Sequence, residues 1–402
     1  MTTEAEILAQ IAQGEGQQRE FKRLIDNPES IAGEIVAMAN SEGGQLYIGV
    51  DDDGAIVGCL DPAQVMQTLT NICRDRCRPP IIAAVEQVSI GSQAVVVLEI
   101  LPALNRQKPY STQGGRFYLR VGTDKKDATG RELIRIAQSA GELHYDESPV
   151  RGADLSILSE RAFGEYYERQ FGSPLEDGLR QAGLSLEQLL RNMRLLDHLN
   201  GSPTLTVAAV LVFGTEPHLF LPQSRLSAVA FAGSDEDSAV LDRKEITGRL
   251  PQIIEDTRVF LRRNVRVTAE ELGFERRDRP QYDLNALGEA VVNAVVHRDY
   301  SLSGSQIRLF VFSDRIEVRS PGRLPNSVTL DNIKLGVHAE RNRRIATLLT
   351  HLGYMSAIGT GVPRLIIRLS RQLSRREPEY SLIGEELRLC VWAAGDESPS
   401  SS

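Results

Sequence analysis

The sequence predicts an α+β protein with more than one domain, and three observations support this. At 402 residues the chain is longer than one hydrophobic core usually serves. Its helical and strand-like runs interleave without the regular strand–helix–strand order of a doubly wound sheet. Its composition, 41% hydrophobic and 25% charged, is that of a globular chain.

In the first 140 residues, Ile31 to Ala39 is apolar at helical spacing, with Ser30 as the N-cap. Gln45 to Val50 reads as a strand, and Asp53-Gly54 as the turn leading into Ala55 to Val57. Val85 to Ile90 and Ala94 to Ile100 form a second hairpin around Gly91-Ser92. Phe117 to Val121 is a strand, and Arg131 to Ala140 a helix. Residues 141–203 read as a linker, marked by Pro149 and Gly152, and a helical segment that includes Ser185 to Leu196. The stretch 204–395 forms the next domain. In it Thr204 to Phe213 and Leu226 to Phe231 read as strands, and Pro251 to Asn264 and Asn285 to His297 as helices. Gln306 to Phe312 and Arg315 to Arg319 are strands, followed by a Pro/Gly turn and two more helices. Residues 396–402 are a Ser-rich tail expected to be disordered.

A formal net charge of −8 argues against indiscriminate polyanion binding, so any nucleic-acid contact needs a local basic surface. Four cysteines (Cys59, Cys73, Cys77, Cys390) are too few and too scattered for a disulfide framework. No nearby His or Cys pair completes a zinc site with Cys73 and Cys77. No run resembles a targeting leader or is long enough to cross a bilayer, so the expected setting is the cytoplasm, with no membrane partner.

Near the N-terminus, Glu15, Glu20 and Lys22 lie close in sequence, and Asp51-Asp52-Asp53 follows the first strand. Metal-dependent phosphodiester cleavage uses such parts: carboxylates hold Mg²⁺ or Mn²⁺, and an ammonium offsets phosphate charge. A solvated strand edge carries the same residue types. The ordered pattern is more specific. It runs Glu15, Glu20-Phe21-Lys22, Met38-Ala39-Asn40, Gly43-Gly44 and Gly49-Val50-Asp51-Asp52-Asp53-Gly54, then Lys108-Pro109-Tyr110 and Tyr118-Leu119-Arg120-Val121-Gly122-Thr123. This resembles the AlbA-like domain of Schlafen proteins and their bacterial relatives. The resemblance implies a mixed α and β domain that binds DNA or RNA. In some Schlafens two Glu and one Asp cleave tRNA or rRNA, which here implies Glu15, Glu20 and Asp52 as metal ligands and catalytic groups, with Asp51 the competing assignment. Lys22 is the candidate catalytic cation, placed to offset charge on the phosphate. Candidate phosphate contacts are Arg23, Arg74, Arg76, Arg78, Lys108, Arg120, Lys125 and Lys126, with Tyr110 and Tyr118 placed to stack on unpaired bases.

In the C-terminal half, Glu289, Asn293 and His297 are spaced by four and share one helix face between valines. Polar groups on an apolar helix need a partner, either a hydrogen-bond network or a ligand. An Asn and a Glu so placed can hold Mg²⁺ and orient water toward a γ-phosphate. The segment resembles the N-box of the histidine-kinase/gyrase ATP-binding fold. Residues 293–301, Ser320-Pro321-Gly322, Arg341-Asn342 and Gly359-Thr360-Gly361 extend a likeness to the C-terminal domain of RecG-like proteins. This implies a two-layer α/β sandwich and an ATP site comprising Glu289, Asn293, His297, Gly322, Arg341, Gly359 and Gly361, with Asn293 on the metal. That fold normally reads adenine with an Asp beside a glycine, whereas here Ser320-Pro321-Gly322 carries no carboxylate. No Gly-x-x-x-x-Gly-Lys-Ser/Thr loop is present, so helicase motor chemistry has no support. Arg364, Arg368, Arg371 and Arg375 form a basic stripe on a late helix.

Three functions follow. The first is a nucleic-acid-binding protein, a regulator such as one acting on transcription, with a nucleotide-responsive or dimerising C-terminal module. A homodimer is expected because two-fold assemblies are commonest. The second is a Schlafen-type metal-dependent ribonuclease or DNase used in stress or phage defence. The third is an ATPase that remodels a nucleoprotein partner. Binding ranks first because it asks least of the sequence. It requires that the N-terminal cations line one positive concavity.

Overall fold

The computed structural model describes residues 3–101, 107–140, 143–272, 275–324, 328–337, 339–355 and 361–394. It divides into two compact units, 1–143 and 144–402, so residues 144–203 group with the second. The expected Ser-rich tail and Gly359 lie outside the described residues. No helix among the described residues is long and apolar enough to cross a membrane.

The first unit is built on a four-stranded sheet. Arg19–Lys22 runs parallel to Gly44–Ile48, which pairs antiparallel with Gln93–Ile100, itself paired with Ala84–Ile90. The last two strands form the expected hairpin around Gly91-Ser92. Side chains alternate across the sheet, as strand geometry requires. Leu46, Ile48, Val96 and Leu98 pack on the Pro28–Asn40 helix, whereas Phe21, Tyr47, Val95 and Val97 pack on Ile7 and Ile11 of Glu4–Ile11. The main helix starts three residues before Ile31, because Asn27 rather than Ser30 caps it. The Asn27 side chain accepts from the Glu29 and Ser30 amides at 2.9 and 3.2 Å, and Pro28 suits the first turn.

The second unit holds a six-stranded sheet in the order Val240–Thr247, Arg225–Phe231, Ile307–Val311, Arg315–Pro321, Glu386–Trp392, Glu379–Ile383. All neighbours are antiparallel except Arg225–Phe231 with Ile307–Val311. The Leu250–Asn264 and Leu284–His297 helices join one apolar core with inward residues such as Leu309, Ile316, Val318 and Leu389. Two expectations fail. Thr204 to Phe213 is not one strand: Ser202–Leu205 is a strand, and Thr206 then caps an α-helix, Val207–Phe213. All seven residues of that helix are buried, so its sequence has no polar face and its period is unreadable. The strands Glu379–Ile383 and Glu386–Trp392 were not anticipated at all.

A sequence-distant cap fixes one helix of this unit. Asp146 is fully buried and accepts from the Arg344 and Ile345 amides at 2.7 and 2.9 Å, closing the N-terminus of Arg343–His351. Burial pushes its carboxyl up to about 6 against the pull of these two amides. A carboxyl raised on folding favours the folded state most when protonated. That stabilisation is present below the unfolded pKa near 4 and is lost as pH rises through about 6. Asp146→Asn keeps an acceptor but cannot ionise. Chemical denaturation at pH 4.5 and pH 8 is expected to show the wild type losing about 1–3 kcal/mol more than the variant across that interval. Identical pH profiles would refute the assignment.

Candidate functional site

The N-terminal carboxylates gather, but as ion pairs. Glu20 is buried on Arg19–Lys22, and its two oxygens are taken by Lys22 Nζ at 2.5 Å and Arg120 Nη2 at 2.6 Å. Arg120, from the Tyr118–Val121 strand, also donates to Glu34 at 2.9 Å and to the Gly16 and Arg19 carbonyls. Lys125, opposite Arg120 in the Asp124–Asp127 strand, pairs with the other Glu34 oxygen at 2.9 Å. Glu15 accepts from the Phe21 amide at 2.9 Å. Burial raises the Glu15 pKa, with Glu20 and Asp52 adding to it and the Phe21 amide opposing. Burial works against the Lys22 ammonium, but Glu20, Glu15 and Glu34 outweigh it and hold its pKa high. Asp52 lines a shallow open depression with Lys22, Arg23, Asp51 and Asp53.

Glu15, Glu20, Lys22 and Asp52 are therefore neighbours, as the sequence suggested, yet their arrangement does not fit a metal. Among the described residues no group of three or more His, Cys, Asp or Glu is placed to hold an ion. Glu20 spends both oxygens on cations of the chain itself.

The expected cationic concavity also needs correction. The Arg120 side chain has no solvent exposure, so it cannot reach a phosphate. Tyr110 is buried, and its backbone is clasped by Asn40, which accepts from its amide at 2.7 Å and donates to its carbonyl at 2.8 Å. It cannot stack on a base. Lys108 donates to the Ser41 carbonyl at 2.6 Å, and burial lowers its pKa to about 8. Arg23 pairs with Asp51, Arg74 with Asp75 and Arg76 with Glu29. Tyr118 is half-buried, with the Arg116 guanidinium 5.3 Å and the Lys125 ammonium 5.9 Å from its ring centre. Arg78 and Lys126 remain exposed. Among the described candidates, Arg120 and Lys108 are thus buried, Arg23, Arg74, Arg76 and Lys125 are ion-paired, and Arg78 and Lys126 are exposed. Sequence reasoning missed Glu34 and Asn40 as organisers, although a Glu inside an apolar helix was the available signal.

The C-terminal residues converge more closely. Glu289, Asn293 and His297 of Leu284–His297 line one cavity, together with Ser320, Gly322 and Gly361. Asn293 Nδ2 donates to the Glu289 carboxylate at 2.8 Å, leaving the Asn293 carbonyl oxygen available as an acceptor. Burial raises the Glu289 pKa, while Asn293 and Arg258 oppose it. A side chain at Gly361 would meet the Glu289 carboxylate, which would have to shift to make room. The remaining wall is largely apolar, with Ala290, Ala294, Val318, Ile366 and Leu389. Ser320 is not a free base reader, since its hydroxyl donates to the Ala294 carbonyl at 2.8 Å. Arg341 lies behind Gly322 instead of lining the cavity, donating to the His297 and Arg323 carbonyls. The expectation that Arg341 contacts nucleotide is corrected accordingly. Tyr380, on an unanticipated strand, contributes a buried hydroxyl with no hydrogen-bond partner among the described residues.

Residues 15–129 match the family described as Schlafen, AlbA_2. Residues 304–391 match the family described as putative ATP-dependent DNA helicase recG C-terminal. The N-terminal stretch of the chain is thus similar to the Schlafen AlbA_2 family and the C-terminal stretch to the recG C-terminal family. Among solved structures the chain is similar to the DIP2311 protein from Corynebacterium diphtheriae. Identity is 23% over 97% of this chain and 79% of that one, with a TM-score of 0.48. It is also similar to the N-terminal domain of a putative ATP-dependent DNA helicase RecG-related protein from Nitrosomonas europaea. There identity is 24% over 32% of this chain and 95% of that one, with a TM-score of 0.26. No curated protein matches the chain.

The ion-pair cluster makes a direct prediction. Arg120→Ala leaves Glu20 and Glu34 buried and undercompensated, and should destabilise the first unit by about 3–5 kcal/mol. Lys126→Ala, at an exposed position, should change it by less than about 0.5 kcal/mol. Hydrogen exchange in the Gly44–Ile48 strand measures both. Equal protection in the two variants would show that Arg120 does not hold this unit together.

Proposed function

We propose that the chain is a nucleic-acid-associated regulator whose C-terminal unit responds to a bound nucleotide. The observation that carries this reading is the convergence of Glu289, Asn293, His297, Gly322 and Gly361 on one cavity. Its apolar wall suits a flat base, and the unpartnered Tyr380 hydroxyl offers a donor to a polar ligand atom. The residues fit a nucleotide in these respects. They depart from the ATP-binding pattern at Ser320, which supplies no carboxylate and is committed to the helix backbone.

In this reading Asn293 would hold the magnesium ion that accompanies the phosphates, and the ion would supply charge neutralisation there. Glu289 is fixed by Asn293 and kept close to Gly361, so it is held at a defined position beside the phosphate end. A carboxylate whose pKa is raised by burial is suited to accept a proton from water. Binding and switching need only the cavity; ATP hydrolysis would require that proton transfer in addition.

For the N-terminal unit, cations available for a phosphate backbone include the exposed Arg78 and Lys126 and the surface-paired Arg23, Arg74, Arg76 and Arg116. Phosphate contacts through such surface cations would make association salt-sensitive. The Schlafen-type nuclease reading loses support because Glu20 is sequestered by Lys22 and Arg120.

Isothermal titration of the full chain with Mg²⁺-ATP tests the proposal. Saturable binding is expected, weakened at least about tenfold in Asn293→Ala. Absence of any binding to the wild type would end the nucleotide reading.

A further inference from the structure

The outer face of the six-stranded sheet carries a second, smaller apolar cluster. Leu309, Val311, Ile316 and Val318 point into the main core, so by strand alternation Arg308, Phe310, Arg315, Glu317 and Arg319 stand on the opposite side. There Phe310 joins Val229, Phe231 and Phe312 in a cluster separate from the main core. Phe231 and Phe312 stack with 5.1 Å between ring centres. The Arg319 guanidinium lies 4.6 Å from the centre of the Phe310 ring, and that of Arg315 lies 4.2 Å from the centre of Phe312. Arg315 is the register partner of Trp392, whose ring centre is 3.5 Å from the Arg376 guanidinium. Phe310, Phe312 and Trp392 therefore each carry a guanidinium on the same side of the sheet.

The ion pairs within the sheet do not balance these cations. Buried Glu317 contacts Arg315 at 2.8 Å, Arg319 at 2.6 Å and Arg388 at 3.8 Å. Asp314 adds a second contact to Arg315, and Glu386 pairs with Arg308. Arg308, Arg315, Arg319 and Arg388 thus share Glu317, Asp314 and Glu386, four guanidiniums on three carboxylates. Arg376 is exposed and has no ion-pair partner among the described residues. A further anion comes from the loop 232–239, which joins Arg225–Phe231 to Val240–Thr247. The Ser234 carbonyl accepts from Arg315 at 2.7 Å, and Glu236 pairs with Arg319 at 2.9 Å. Both arginines belong to Arg315–Pro321, two strands away from where the loop begins, so the loop folds back across the phenylalanines. Its acidic residues Asp235, Glu236 and Asp237 are exposed.

Anions laid over aromatic rings and guanidiniums repeat the layout of a single strand on a binding platform, with phosphates on cations and bases on ring faces. Duplex bases are stacked on one another and cannot reach such rings. Glu236 keeps 53% of its side chain exposed, so its pair with Arg319 is weak enough for a polyanion to replace. We propose that this outer face binds single-stranded nucleic acid, with Phe310, Phe312 and Trp392 stacking on bases and Arg315, Arg319 and Arg376 meeting phosphates. The acidic loop occupies the face until the strand displaces it. This rests on the nucleic-acid part of the reading above and is independent of what the cavity beside Asn293 holds.

Fluorescence anisotropy of the full chain measures binding of labelled oligothymidylate, of the same strand annealed to its complement, and of a polyglutamate peptide. Three forms are compared: the wild type, the loop variant Asp235→Asn/Glu236→Gln/Asp237→Asn, and the loop variant with Phe310→Leu and Phe312→Leu added. Leucine keeps the cluster apolar while removing the rings, and circular dichroism checks folding. If the leucines prevent folding, Arg376→Gln at its exposed position is added to the loop variant instead.

The loop variant should bind the single strand at least about tenfold more tightly than the wild type, with a smaller gain on the duplex. The leucines should remove that gain, and Arg376→Gln should remove part of it. An equal gain on the duplex overturns the stacking platform, and so does a gain that survives both sets of substitutions. Single-strand binding that is the same in every form overturns this surface and leaves the nucleic-acid reading standing on the first unit. A gain confined to polyglutamate assigns the face to an acidic protein segment and overturns the proposal. Failure of every form to bind either nucleic acid overturns both readings.

Discussion

A guanidinium cut off from water must find its partners inside the protein, and Arg120 meets this constraint at the centre of the first unit. It is held between Glu20 and Glu34 and by two backbone carbonyls, with Lys22 and Lys125 on the outer oxygens of the two carboxylates. The arrangement ties the edge strand Arg19–Lys22, the main helix and the Tyr118–Val121 strand into one charged knot. Removing one member of such a cluster is costly because the others stay buried without compensation. The same knot determines what the unit can offer a ligand. Residues that read from sequence as metal ligands and phosphate contacts are here each other's partners.

The second unit solves its polar burial differently. Arg298 is almost completely buried with no carboxylate ion-paired to it among the described residues, its guanidinium donating to the carbonyls of Asp299, Leu302 and Ser305. Arg341 likewise serves backbone carbonyls. These arginines brace the loops that follow the Leu284–His297 helix, so the cavity beside Asn293 is walled without placing their charge inside it. Glu289 and Asn293 then face a largely apolar space that His297, Ser320, Arg323 and Tyr380 also line. That contrast, rather than overall charge, is why a ligand site is better supported in this unit than in the first.

Much of the fold was legible because local chemistry and tertiary demand agree. Gly91-Ser92 turns a hairpin whose strands alternate cleanly, and the spacing of Glu289, Asn293 and His297 fixes one helix face. Legibility failed where burial is complete on all sides. Val207–Phe213 is entirely apolar and β-rich in composition, yet Thr206 caps it as a helix. The fate of Arg120 could not be read from its neighbours, since its partners Glu20 and Glu34 lie 100 and 86 residues away. Tyr380 was missed because Glu379–Ile383 has too few inward residues to show alternation; its five positions are only half-buried or exposed.

The serine at position 320 bears on selectivity. An aspartate beside the glycine would present a buried acceptor to one base edge, and a base lacking the matching donor would leave that acceptor unpaired. Sites built this way reject the wrong ligand by about 10⁴–10⁵. Ser320 donates its hydroxyl to the Ala294 carbonyl, which leaves a neutral hydroxyl oxygen, not a carboxylate, as the acceptor at that point. An apolar pocket without a committed acceptor discriminates by only about 10–200-fold. In the nucleotide reading proposed above, Ser320 would supply a neutral acceptor where the ATP-binding pattern has a carboxylate, and discrimination between bases would be correspondingly weaker.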